Sequence, residues 1–168
     1  MIEGIIDLVK IIVNYDQKAA ALALSRGGWK EWFLCELWLQ FLYQNCSAER
    51  NFAYPAAPTV CDTVVARKNP SDGLVWIEVQ AFDIFMETQE NRFIDMAQHD
   101  IEALQTLRPQ SDLGLMIILV PISIGAQIHQ FLSNPGSGFT RTDMPTMAIY
   151  TCTFDKKTES PASNSPGN

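Results

Sequence analysis

Apolar and polar positions follow two periods along this chain, and the switches between them mark its elements. From Ile2 to Ser25 apolar residues recur at helical spacing, with Ile2, Ile5, Ile6, Val9, Ile12 and Val13 on one face, and Gly27 and Gly28 supply a stop. A second helix is predicted from Trp29 to about Cys46. A short strand over Asn51 to Tyr54 is ended by Pro55 and Pro58, and β-branched runs at Thr59 to Arg67 and Leu74 to Phe82 read as strands. Asn69-Pro70-Ser71-Asp72-Gly73 joins the last two as a turn, which predicts an antiparallel hairpin. Met86 to Leu107 is predicted to be a long helix, with Phe93, Ile94, Ala97, Ile101 and Leu104 on one face and Pro109 beyond its end. Leu113 to Val120 is a continuous apolar run, the pattern of a strand buried on both faces. Ile122 to Leu132 reads as helix and Thr146 to Phe154 as a final strand.

These elements predict one α/β domain over residues 1–155, in which 1–26 is an N-terminal helical extension. From Lys156 the composition shifts to Lys, Thr, Ser, Pro, Asn and Gly without apolar periodicity, so 156–168 is expected to be a disordered tail. A chain of 168 residues, 47% apolar and 18% charged, is long enough for a single sizeable core. No apolar stretch is long enough to cross a bilayer, and Glu3 and Asp7 stand where a signal peptide would be basic, so a cytoplasmic protein is expected. Cys35, Cys46, Cys61 and Cys152 are scattered without a CxxC pair, which argues against a disulfide framework or a zinc knuckle.

Charge narrows the picture. Twelve Lys and Arg stand against nineteen acids, a net charge of −7, which opposes nonspecific binding of a polyanion. Arg50, Arg67 and Lys68 flank the strand of Asp62 and are the candidates for a local basic patch; the alternative is that they are solvated strand-end charges.

Three acids fall where the pattern calls for apolar residues. Glu36 lies in the aromatic second helix, sharing its face with Trp29, Trp32, Phe33, Gln40 and Tyr43, while Leu34, Leu37, Trp38, Phe41 and Leu42 form the other stripe. Asp62 lies in Val-Cys-Asp-Thr-Val-Val, on a face with Val60, Val64 and Ala66. Glu78 lies in Trp-Ile-Glu-Val-Gln, where alternation puts Trp76, Glu78, Gln80 and Phe82 on one face. A carboxylate inside an apolar strand costs several kcal/mol unless it is paired or binds a cation. The hairpin brings Asp62 towards Glu78, and a divalent metal site shared with Glu36 of the preceding helix accounts for all three.

In order and motif the stretch from Trp29 to Val120 resembles the PD-(D/E)XK nuclease-like superfamily, whose restriction-endonuclease-like core runs αβββαβ. The resemblance covers a little over half the chain, and Gly27-Gly28-Trp29-Lys30-Glu31-Trp32 with Cys35-Glu36-Leu37 is similar to the helix opening of uncharacterised bacterial members. It implies that Glu36 is the acid of the first core helix, Asp62 the acid of the second strand, and Glu78-Val79-Gln80 the (D/E)-x-K motif of the third. Gln80 stands where the superfamily has Lys; an amide can hold a water but supplies no charge. E-x-Q also occurs in some restriction endonucleases of the group.

The resemblance implies a Mg²⁺- or Mn²⁺-dependent nuclease acting on DNA or RNA. Asp62, Glu78 and the Val79 carbonyl would hold the metal, Glu36 would complete the site, and Gln80 would position the attacking water. Gln98 of the following helix is a further candidate for the same cleft; His99 beside it is expected at the surface of an amphipathic helix and outside the site, and His129 has no specific role. The missing Lys and the acidic charge carry the opposing expectation, a degenerate nuclease fold acting as a binding module, such as an immunity or regulatory partner. Trp29, Trp32 and Tyr43 would be its interface anchors. Fold analogy alone adds a homodimer as the expected oligomer.

Overall fold

The computed structural model describes residues 2–14, 29–55, 57–66 and 73–155. Helix α1 spans Ile2–Asn14 and α2 spans Trp29–Tyr43. Strands β1 (Ala48–Ala53), β2 (Val60–Ala66) and β3 (Leu74–Ala81) follow, then a 3₁₀ turn over Ile84–Gln89 and helix α3 (Glu90–Thr106). Strand β4 (Leu113–Pro121), helix α4 (Ala126–Leu132) and strands β5 (Thr140–Asp143) and β6 (Met147–Phe154) complete the described chain.

The six strands form one mixed sheet in the order β1-β2-β3-β4-β6-β5. Only β3 and β4 run parallel, because α3 carries the chain across between them; every other neighbour is antiparallel. The odd positions of β3, Val75, Ile77, Val79 and Ala81, pack with Leu115, Ile117 and Leu119 of β4 against α1 and α2. The even positions, Trp76 and Phe82 among them, pack with Met116, Ile118 and Val120 against α3 and α4. Both faces of β4 are therefore covered, which is why Leu113 to Pro121 reads as an unbroken apolar run. No helix among the described residues is long and apolar enough to cross a membrane.

Several boundaries differ from the sequence reading for local reasons. Helix α2 stops at Tyr43 because Asn45 turns left-handed (φ 54°), and Cys46 N–H and Asn45 N–H close on the carbonyls of Phe41 and Leu42. Its buried stripe is Trp29, Phe33, Leu34, Leu37 and Phe41; Leu42, expected inside, is 41% exposed, and Trp38 is half-buried with its indole N–H on the Ala48 carbonyl. The α3 segment begins as a 3₁₀ turn because the Asp83 carboxylate accepts the Phe85 N–H at 2.9 Å. Helix α4 starts four residues later than predicted. Gly125 precedes it at φ 76°, and a Cβ there would lie 3.0 Å from Val120 Cγ1. The edge strand β5 was not predicted; Thr140–Asp143 is short, polar and mostly exposed. The continuation of the first helix to Ser25, the Gly27-Gly28 stop, most of the 69–73 turn, Arg67, Lys68 and the tail from Lys156 lie outside the described residues.

Candidate functional site

Pairing between β2 and β3 gives out where the acids stand. The register runs from Ala66↔Leu74 to Thr63↔Ile77 and stops, although both strands continue; the next pair would be Asp62 and Glu78. On the other side, β1 pairs Arg50↔Thr63 and Phe52↔Cys61 but skips Asn51, whose backbone is left-handed at φ 53°. Asp62 thus has no ladder partner on either neighbouring strand. Cys61 joins the core beneath α3 together with Val64, three residues on, so strict alternation lapses between them and β2 is turned at Asp62.

The two carboxylates take over the missing backbone bonds. The Asp62 N–H donates to Glu78 Oε2 at 3.3 Å, and the Val79 N–H donates to Asp62 Oδ2 at 2.9 Å. The N–H and C=O of a strand residue point to the same side, so the Val79 carbonyl also faces this seam, beyond the last β2–β3 pair. Tyr54 O–H donates to Glu78 Oε1 at 2.8 Å. Glu78 is 4% exposed, and burial, with Asp62 and Asp100 adding negative charge, pushes its carboxyl up to about 8.

The same cluster holds two residues that the sequence reading did not place there. Lys30, in the first turn of α2, puts its ammonium 3.0 Å from Asp62 Oδ2. Asp100 of α3 accepts the Gln80 amide N–H at 2.6 Å, and its carboxyl is raised by burial, with Gln80 and Lys30 acting in the opposite direction. Helical spacing contains a signal for Asp100. With Phe93, Ala97 and Leu104 buried, position 100 lies on the same i, i+4, i+7, i+11 stripe, an acid among core residues. Lys30 carries no comparable signal, since one Lys in a helix's first turn is ordinary.

The predicted site residues divide accordingly. Asp62, Glu78, Val79 and Gln80 come together at the seam. Glu36 does not join them: it is half-buried and makes no hydrogen bond or ion pair with the cluster among the described residues. It stands six positions from Lys30, about 120° away around the helix axis, so α2 presents Lys30 instead. Gln98 and His99 are exposed on α3. Arg50 is no free basic patch, because it donates to Glu31 at 2.8 Å and to Cys35 Sγ at 2.9 Å. His129 is structural, lying between the Tyr150 hydroxyl and the Pro121 carbonyl. Of the supposed anchors, Trp29 is buried and Tyr43 is 76% exposed. All four cysteines are free thiols.

Among the described residues no group of three or more His, Cys, Asp or Glu side chains is set to hold a metal ion. The donor set at the seam is two carboxylates and a backbone carbonyl, all hard oxygen ligands. Mg²⁺ commonly takes only one or two protein carboxylates and keeps several waters, so the set fits that ion class. No protein family, curated protein or solved structure matches the chain.

Proposed function

We propose that the protein is a nuclease of restriction-endonuclease-like fold that hydrolyses phosphodiester bonds with Mg²⁺ or Mn²⁺. The observation that carries this reading is the pair Asp62 and Glu78, facing each other across a seam where the sheet has given up its own hydrogen bonds. Burial first, and the negative charge of Asp62 after it, raise the Glu78 carboxyl, and a bound cation would relieve both by favouring the ionised form. The αβββαβ order from Trp29 to Pro121 supports the fold.

Asp62, Glu78 and the Val79 carbonyl would hold the divalent cation. When bound, that cation supplies Lewis acidity towards the phosphate and lowers the pKa of a coordinated water. The chain's own groups do the rest. Lys30 offers the positive charge that Gln80 lacks, from a helix rather than from the strand, and its ammonium already stands within ion-pair distance of Asp62. Gln80, held through its N–H by Asp100, has its amide oxygen as a hydrogen-bond acceptor for the attacking water.

Purified protein with Mn²⁺ is expected to cut DNA or RNA across a substrate panel, and Glu78→Ala to abolish cutting while the fold survives by circular dichroism. Lys30→Met should lower kcat on the order of 100-fold or more, the magnitude of losing one charge-stabilising donor. The net charge of −7 favours the alternative of a protein-binding module. A clean substrate panel together with no Mn²⁺ binding by calorimetry would decide for that alternative.

A further inference from the structure

Tyr54 lies just beyond the end of β1 and is 2% exposed, an uncommon place for a phenol whose oxygen must find a partner. Its ring is stacked on Trp76, with centroids 5.0 Å apart and planes 16° from parallel. Trp76 is in turn fixed, because its indole N–H donates to Asp112 Oδ2 at 2.7 Å. Phe52 meets the same indole edge-on at 5.4 Å. The Tyr54 backbone is tied as well, its N–H reaching the Thr59 carbonyl at 3.1 Å. The hydroxyl therefore has little freedom, and it is aimed at Glu78 Oε1. Burial, reinforced by Cys61 and Glu78, pushes the phenol well above its ordinary range, so it keeps its proton at any working pH.

We infer that Tyr54 is a positioning residue for the divalent cation, holding Glu78 Oε1 so that the carboxylate is presented to the seam in one orientation. This rests on the metal-dependent reading of the same site. A carboxylate with free rotation about its last bond must be ordered each time a cation binds. One gripped by a rigid donor is ordered in advance, and partners of this kind commonly carry 10- to 100-fold in metal affinity. The grip starts from an aromatic stack and an aspartate on the far side of Trp76, so the site's geometry is set partly by residues that touch no ligand.

The test is Tyr54→Phe in the full chain, which keeps the ring and its stack on Trp76 and removes one oxygen. Mn²⁺ affinity by calorimetry is expected to fall about 10- to 100-fold. Cleavage should fall at limiting Mn²⁺ and largely recover when Mn²⁺ is raised to saturation, a rescue that a general loss of packing would not give. In a Glu78→Gln background the same change should leave the residual Mn²⁺ affinity unaltered. If wild type binds Mn²⁺ and cuts while Tyr54→Phe matches it in affinity, the inference falls and the nuclease reading stands. If wild type neither binds Mn²⁺ nor cuts, both fall. Should Tyr54→Phe melt early, Leu132→Ala, in the same core cluster but outside the Tyr54 stack, serves as the control: equal loss of affinity at an equal fall in melting temperature would assign the effect to packing and overturn the inference.

Discussion

At the scale of single residues, Glu78 controls how the fold responds to pH. Its folded carboxyl lies near 8 against an ordinary 4.5, so the native state binds a proton that the unfolded chain releases. The native advantage is present in acid and is lost as pH rises from about 4.5 to 8, because the unfolded chain then ionises freely. Without divalent cation the melting temperature should therefore fall over that window, by an amount on the order of a few kcal/mol in stability. Glu78→Gln should flatten the dependence and be the more stable protein at pH 8. Asp100 shifts in the same direction and adds to the trend. A melting temperature that rises between pH 6 and 8 in the absence of metal would contradict this account. Asp100→Ala, which leaves a buried Gln80 N–H without its acceptor, should destabilise by about 1–3 kcal/mol. It should also lower kcat on the order of 10-fold by freeing the amide, whereas Asp100→Asn, which still accepts, should retain most activity. Glu78 and Gln80 were legible in the sequence because period-two alternation assigns them one face without a fold; Asp62 was legible only as an acid in an apolar strand, since β2 breaks its alternation there. Lys30 was not, since its reach to Asp62 depends on where α2 crosses the sheet, and that is set by the buried faces of two elements together.

At the scale of elements, the carboxylate of Glu90 connects the two helices on one face of the sheet. Its Oε2 accepts the Gln127 N–H at 2.8 Å and the Ile128 N–H at 3.3 Å, capping α4 from the first turn of α3. Glu90→Ala should remove about 1 kcal/mol, a fall of about 2–4 °C in melting temperature. It should leave Mn²⁺ binding at the seam unchanged, and thermal melts beside calorimetry check both halves. Nothing in Ala126 to Leu132 announces this cap, whose acceptor stands 37 residues earlier in sequence. The strands, by contrast, were read within a few residues, because β-branched runs flanked by turn chemistry need no long-range partner to be recognised. The exception is Thr140–Asp143, which is polar and exists as a strand only because β6 lies beside it. The Glu36 expectation failed for a related reason. A helix apolar on two sides does not say where the covered arc will be centred; it runs through Trp29, Phe33, Leu34, Leu37 and Phe41, with Lys30 within it and Glu36 at its margin.

For the whole molecule, charge sets the terms on which a polyanion can approach. With a net charge of −7, and with Lys30 and Arg50 already bonded to Asp62 and Glu31, few cations among the described residues are left to neutralise phosphates. Nucleic-acid binding should therefore require divalent cation, and its logarithmic dependence on monovalent salt should be shallow, matching about one or two phosphate contacts. Fluorescence anisotropy across a salt series measures that slope. A steep slope of six or more contacts would place a basic surface outside the described residues and reverse this picture.

The seam between β2 and β3 also gives the molecule its own reporter. Most sheet amides exchange with solvent only when strands part, but the N–H groups of Asp62 and Val79 are held by carboxylates instead of carbonyls. A carboxylate changes its grip when it gains a proton or a cation; a carbonyl does not. The protection factor of the Asp62 amide, held by Glu78, should consequently follow pH, and those of both amides Mg²⁺, while the protection factors of Thr63 and Ile77 stay fixed, so that occupancy of the site can be read from the backbone of an unlabelled protein.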